Sequence, residues 1–461
     1  MKYGNFKGLG LALSLLACAY VQPATAAEVE IEPGYGTLMT AVADANAGDV
    51  IVLKEGIYYM SNGTQVIDKS LTIRALNAQT KPKLMFTSGG ISALEIRGED
   101  TDFVMQGITF YEGQSITNTP YFEVIGEVNS VALLQNNFTD IEVFVKPDYD
   151  PDGNLLYLDK LVVVGNRFVR GKIDSAAEEL FLFAGNSLSF NNFYANKSQS
   201  TAEQHILGNA FVLDNTTTVN IGSTGSSHSR VVGNFFDRLV SDDSSSASNA
   251  YLSPVYLRGH GVFSNNTVLA GRNTYQSPGT PNSIQVVDFY GSFAINNNVF
   301  HVEPIALQER DNISFNVRDG DAHFSNNIFV NLPNAVAFSG LDRANGTTLE
   351  NNLCFSEVDG VPCIEHAGIT VVDDLKLDSQ FRPLAGSPAI DAGIDDVFYR
   401  DVDGTRSDIG IEGGPLPKSQ FDDQRLATES APYLYPLFEA NASLSNNGEL
   451  NVKAIAISKL R

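Results

Sequence analysis

One short phrase recurs along this chain and restricts its fold more than any other feature. It reads: an apolar residue, two free positions, Asn, one free position, then Phe or another apolar residue. The Asn falls at Asn136, Asn166, Asn191, Asn209, Asn234, Asn266, Asn298, Asn327 and Asn352, at intervals of 30, 25, 18, 25, 32, 32, 29 and 25 residues. Three positions earlier stand Leu133, Val163, Leu188, Ile206, Val231, Phe263, Ile295, Phe324 and Leu349. Two positions later stand Phe138, Phe168, Phe193, Phe211, Phe236, Val268, Phe300, Phe329 and Cys354. Both columns are apolar throughout, so the period belongs to the architecture.

Short apolar runs at that period predict one coil of short strands per repeat. The fold class is therefore all-β, a single-stranded right-handed parallel β-helix. Equivalent residues of successive coils then lie about 4.8 Å apart, the strand-pairing distance. The apolar columns stack inside, and the Asn column forms a buried ladder at a turn, each amide bonding its neighbours. An α-solenoid would need ten or more residues of period 3.6 in each repeat, and these are absent. Intervals that vary by 14 residues suit coils with surface loops better than a helical array.

Upstream, Val50–Leu53, Leu71–Arg74, Lys83–Phe86, Ala93–Ile96 and Phe103–Phe110 read as strands without the Asn. Residues 37–47 have the period of one amphipathic helix, which would cap the open end and hide the first strand edge. The repeat fades after about residue 382. The expected division is a signal segment at 1–26, a β-helix domain at 27–417, and an irregular tail or cap at 418–461.

The signal reading rests on Lys2 and Lys7, an apolar run from Gly8 to Val21, and the ending Ala24-Thr-Ala26. The run is too short for a membrane span. Leu15-Leu-Ala-Cys18 leaves a lipid anchor at Cys18 as an alternative, so the expected location is secreted or periplasmic, or else outer-membrane lipoprotein. Cleavage removes two lysines and takes the formal net charge from −24 to −26. Such an acidic excess argues against a nucleic-acid partner. Cys354 and Cys363 then remain, as a disulfide or as two buried thiols. A monomer is expected.

At this point the chain resembles secreted, pectin-lyase-like β-helix proteins. Residues 41–58, with a capping helix, the Gly48-Asp49 turn and Gly56-Ile-Tyr58, resemble the start of many such chains. Gly107–Phe110 is similar to an early coil, and 384–393 with 401–410 resemble a terminal segment of bacterial members. Within that group the N-terminal portion most resembles the chondroitinase B and alginate lyase proteins, polysaccharide lyase family 6. That family uses a Lys base, an Arg, and calcium held by Asn and Glu on neighbouring coils. Val255-Tyr-Leu-Arg-Gly-His260 is similar to the strand carrying the Arg, which makes Arg258 its counterpart. The preceding coil lacks the Lys-Ser strand, and Asn196-Lys-Ser198 lies too early, so the family's base and calcium site are not transferred. Lys197 is kept as a substrate-binding candidate.

The repeat frame brings titratable residues together. Six positions before the Asn stand Glu203, His228, His260, Ser292 and Asp321, and four before stand His205, Arg230, Val262, Ala294 and His323. Both sets face outward if the third position faces in. Tyr256 and Arg258 precede His260 on the same strand. This set suits β-elimination from a uronate, which needs a cation at the carboxylate, a base for the α-proton and an acid for the leaving oxygen. Arg258 and Arg230 are the expected carboxylate partners, His228 or His260 the base, Tyr256 the acid, and Glu203, His205 and Lys197 substrate contacts. The expected function is a lyase of an acidic polysaccharide such as alginate.

Other uses stay open. Glu203, His205, His228 and His260 could ligate a metal, and calcium stays open as a cofactor. A hydrolase would need two carboxylates about 5 to 9.5 Å apart, for which Glu203 with Asp237, Asp242 or Asp288 could serve. A non-catalytic β-helix would bind glycan through the insertions at 213–227, 241–253 and 271–283. Asp148–Gly153 resembles half a calcium loop but reads as a solvated acidic turn.

Overall fold

The computed structural model describes residues 26–421 except 62, 78, 87–91, 113–118, 147, 150–154, 196–202, 215–216, 223–227, 239–254, 271–282, 304–311, 333–336 and 340–345, together with 433–437 and 453–457. Its strands pair in parallel from coil to coil along three ladders, giving a right-handed parallel β-helix with three faces. Face A holds the strand before each ladder Asn, such as Lys160–Val164 and His228–Val232. Face B follows the Asn, as in Ala210–Leu213 and Thr267–Ala270. Face C closes the coil, as in Glu142–Lys146 and Val219–Ile221.

The helix at Thr37–Asp44 buries Leu38 and Val42 against the first coils and so caps the stack. Phe103–Phe110, expected as one strand, is two: Asp102–Gln106 on face A and Thr109–Glu112 on face B. Gly107 turns the corner between them with φ 74°. Gly adopts that conformation without a Cβ penalty, although the same corner holds Gln135 at φ 56° one coil later.

The Asn ladder forms as predicted, with one change of member. Asn136, Asn166, Asn186, Asn209, Asn234, Asn266, Asn298, Asn327 and Asn352 are all buried. Each one's backbone N–H from Asn136 to Asn327 donates to the Oδ1 of the next, at 2.8–2.9 Å. Each side-chain amide donates to a carbonyl one coil back, for example Asn266 Nδ2 to Val231 O at 2.8 Å. Asn191 is not a member: its Nδ2 bonds Ser189 O within the strand Ser187–Ala195. The repeat there is short enough that Asn186, preceded by Phe183 and followed by Leu188, takes the ladder place.

Inside, Phe110, Phe138 and Phe168 stack with ring centroids 4.6 and 4.9 Å apart. Each such side chain adds about 2–3 kcal/mol of burial, and the stacking fixes coil register. Cys354 lies in the same interior column and is disulfide-bonded to Cys363.

After the last coil the chain turns back over the outside of the stack. Leu375, Ala389, Ile409 and Ile411 cover Val299, Ile328 and Leu353 on face B. Phe421 covers Leu182, Leu207 and Val232 on face A. Residues 433–437 and 453–457 pair as an antiparallel ladder.

Candidate functional site

Two strands place the candidate site. In Val255–Ser264 and Ser283–Asn296 the backbone passes from face C to face A without a break. Glycines allow this, because the coils approach closely at that corner. A Cβ on Gly261 would lie 2.0 Å from Ser229 O, and one on Gly291 would lie 1.8 Å from Gly259 O. One strand therefore presents Tyr256, Arg258 and His260 at alternate outward positions, spanning both faces.

The coil frame holds in register. His228 pairs with Glu203 on one side and with His260 on the other, and His260 pairs with Ser292. Both imidazoles are exposed, with ring centroids 5.9 Å apart and planes at 37°. Arg230 is half-buried two residues after His228, in register with Val262. Arg258 is exposed beside them. Glu203 shares the column by its backbone. Lys197, Asp242 and most of the insertions at 241–253 and 271–283 lie outside the described residues. The insertion at 213–227 contains a face C strand, Val219–Ile221.

His205 departs from the expectation of a substrate contact. It sits in the outward column between Leu182 and Arg230, but at 2% exposure. Its column neighbour Leu182 is buried as well.

The frame also brings in residues that sequence counting passed over. Tyr290 pairs with Arg258 on the next coil, and Arg318 pairs with Tyr290 on the coil after that. Tyr290 lies eight positions before Asn298, the offset of Arg258 from Asn266, so the same count could have found it. Arg318 lies nine before Asn327, because the corner there carries one more residue.

Beside this row, Asp288 pairs with Tyr256 and is 7% exposed. Burial pushes its carboxyl up, and Arg318, Asn316 and Arg258 pull it back. Arg318 Nη2 is 3.2 Å from its Oδ2. A side-chain bond to Asp319 and that carboxylate's charge raise the Tyr290 phenol, with Arg258 and Arg318 opposing, so the phenol keeps its proton near neutrality. Arg238, at the end of a face B strand, is 6% exposed; burial lowers its pKa, and Tyr256 and then Asp214 oppose. Asp237 is raised by burial and then by Glu303.

The arrangement offers cations, imidazoles and phenols on one outer surface three coils deep. The strand preceding Arg258 in the stack is Val219-Asn-Ile221, followed by Gly222, whose added Cβ would meet Arg258 O at 2.0 Å. No lysine stands there. Among the described residues no group of three or more His, Cys, Asp or Glu is placed to hold a metal ion. Asp148–Tyr149 pairs with Leu155–Leu156 in a small hairpin whose turn lies outside the described residues.

No family model and no curated protein matches the chain. Among solved structures, the pectate lyase Pel9A is 13% identical, with a TM-score of 0.34, over 84% of this chain and 96% of that one. The PL6 family alginate lyase AlyGC is 13% identical, with a TM-score of 0.35, over 78% of this chain and 55% of that one. A PL6 alginate lyase complexed with a trisaccharide is 14% identical, with a TM-score of 0.34, over 76% and 85%.

Proposed function

We propose that this protein is an exported polysaccharide lyase that cleaves an acidic, uronate-containing glycan such as alginate by β-elimination. One observation carries the reading. Arg258 and His260 share an outward strand, with the His228 ring 5.9 Å from that of His260 and the Tyr290 phenol in register with Arg258. A cation, a base and an acid thus stand within two coils, about 10 Å.

Arg258 pairs with the C5 carboxylate, and its charge stabilises the enolate that forms as the α-proton leaves. His260, beside His228, takes the C5 proton through a neutral ring nitrogen. Electrons of the C5–H bond form the C4–C5 double bond, and the C4–O4 bond breaks. A phenol gives its proton to O4, either Tyr256 on the same strand or Tyr290 on the next coil. No water is consumed, which separates this reaction from hydrolysis. The Cys354–Cys363 disulfide supports an oxidising compartment, as an exported chain requires.

The test is direct. Purified protein is incubated with alginate, pectate and chondroitin while ultraviolet absorbance of unsaturated uronates is followed. Absorbance should rise on at least one of them, and Arg258→Ala or His260→Ala should remove it. No rise on any of the three, with or without calcium, would sink the proposal, and new reducing ends without absorbance would replace it with a hydrolase.

A further inference from the structure

We propose that one outward lane of face C, running along the coil axis into the candidate site, is a track for an extended, 1,4-linked chain of acidic sugars, one sugar to a coil. The proposal rests on the glycan reading above and narrows its substrate.

The lane follows from register alone. Phe144 pairs with Asp174, Asp174 with Tyr194, Tyr194 with Asn220, and Asn220 with Tyr256. An aromatic ring therefore recurs at every second coil, about 10 Å apart, with a polar side chain on the coil between. A pyranose chain linked through equatorial bonds at C1 and C4 advances by nearly one coil spacing per unit. It also turns over at each unit, so every second sugar shows the same face. Rings at alternate coils meet that repeat, and the polar residues between them meet hydroxyls. A chain linked through axial bonds is kinked and advances less per unit, so its rings do not lie flat along the lane.

Two lysines lie over rings of the lane and of Tyr121 beside it. Lys146 Nζ lies 5.0 Å from the Phe144 centroid and 5.8 Å from that of Tyr121. Lys172 Nζ lies 5.4 Å from Phe144 and 5.1 Å from Tyr194. Such contacts fix flexible ammonium groups in place. Lys146 also meets Glu123, and Lys172 meets Asp174 at 2.9 Å. The local charge is near balance, so the lane favours a sugar carrying spaced carboxylates over a compact polyanion. Counting coils, a chain anchored at Tyr256 reaches Tyr194 with its third unit and Phe144 with its fifth.

The experiment is calorimetric titration of the full chain, in the His260→Ala background to prevent turnover, with mannuronate oligomers of two to six units and guluronate oligomers of the same lengths. Affinity for the mannuronate series should rise about tenfold, or 1.4 kcal/mol, from two units to three and again from three to five. Tyr194→Ala should lose the first gain and Phe144→Ala only the second, with Tyr194→Phe behaving as the parent. Thermal melts confirm that each variant is folded. Affinity that does not change with length, equal gains for guluronate, or parental binding by both alanine variants would overturn the track. Length-dependent binding without lyase activity in the wild-type chain would instead overturn only the catalytic reading.

Discussion

At the scale of single residues, each ladder asparagine is held by several buried hydrogen bonds. Asn266 accepts the Asn234 backbone N–H at 2.9 Å and its amide at 3.0 Å, and donates to Val231 O at 2.8 Å. Asn266→Ala takes this partner from the Asn234 backbone N–H and from Val231 O, at about 1–3 kcal/mol each, while the Asn234 amide keeps its bond to Ile206 O. The expected loss is about 3 kcal/mol or more in denaturant unfolding, while an exposed change such as Lys83→Ala should stay within about 0.5 kcal/mol. The ladder was legible because buried amides need their own partner type at fixed spacing. Its one misplacement, Asn191 for Asn186, arose because both fit the apolar frame and only the coil length separates them. The site divides in the same way. Arg258, His228 and His260 follow from counting back from the ladder. Arg318 escapes that count through one added corner residue, and His205 is outward by count yet buried by packing.

At the scale of elements, the returning C-terminal segment explains a sequence detail that the repeat alone does not. The residue before each ladder Asn turns the corner with positive φ, as in Gly208, Gly233, Asn265 and Asn297. It is Gly where Phe421 lies against the corner: a Cβ on Gly233 would meet the Phe421 ring at 2.5 Å. It is Asn where the segment's backbone crosses. Asn265 Nδ2 donates to Ile411 O at 3.0 Å and Gly413 O at 2.7 Å, and Asn297 Nδ2 donates to Asp408 O at 2.9 Å. Asn265→Gly keeps the conformation and loses both bonds. Amide exchange at 408–414 should therefore quicken while the coils keep their protection, and unchanged exchange would assign the docking to apolar burial alone. Sequence periodicity could not show this, because the segment has no period of its own.

The same segment holds a pH-sensitive carboxyl. Burial pushes Asp401 up to about 6, against the pull of the Gly414 and Asp408 N–H groups. Its folded pKa thus lies above the unfolded value of about 3.8. The folded chain binds the proton more tightly, so this stabilisation is complete below about pH 4 and is lost as pH rises through about 6. The stability of the parent relative to Asp401→Asn should fall over that interval. A difference that rises or stays level would show that the two N–H bonds outweigh burial.

At the scale of the whole molecule, the proposed substrate sets an acidic polymer against an acidic protein. The formal net charge is −24, or −26 without the expected signal segment, so the far field repels a polyuronate. The cations proposed to hold it form two groups, Arg258, Arg230 and Arg318 at the candidate site and Lys146 and Lys172 three to four coils earlier along the lane, each acting on the glycan at contact range. These two fields have different ranges. The Debye length is about 30 Å at 0.01 M salt and about 10 Å at 0.1 M. Added salt in that interval therefore removes the repulsion from the distant surface before it weakens contacts at a few ångströms. KM for the glycan should fall from about 0.01 M to about 0.1 M salt and rise again toward about 1 M, with kcat nearly constant. A basic enzyme would lose affinity from the lowest salt onward. A steady rise in KM from the lowest salt would therefore mean that the cluster near Arg258 sets the field felt at a distance, and that the acidic surface lies too far from the glycan's path to oppose it.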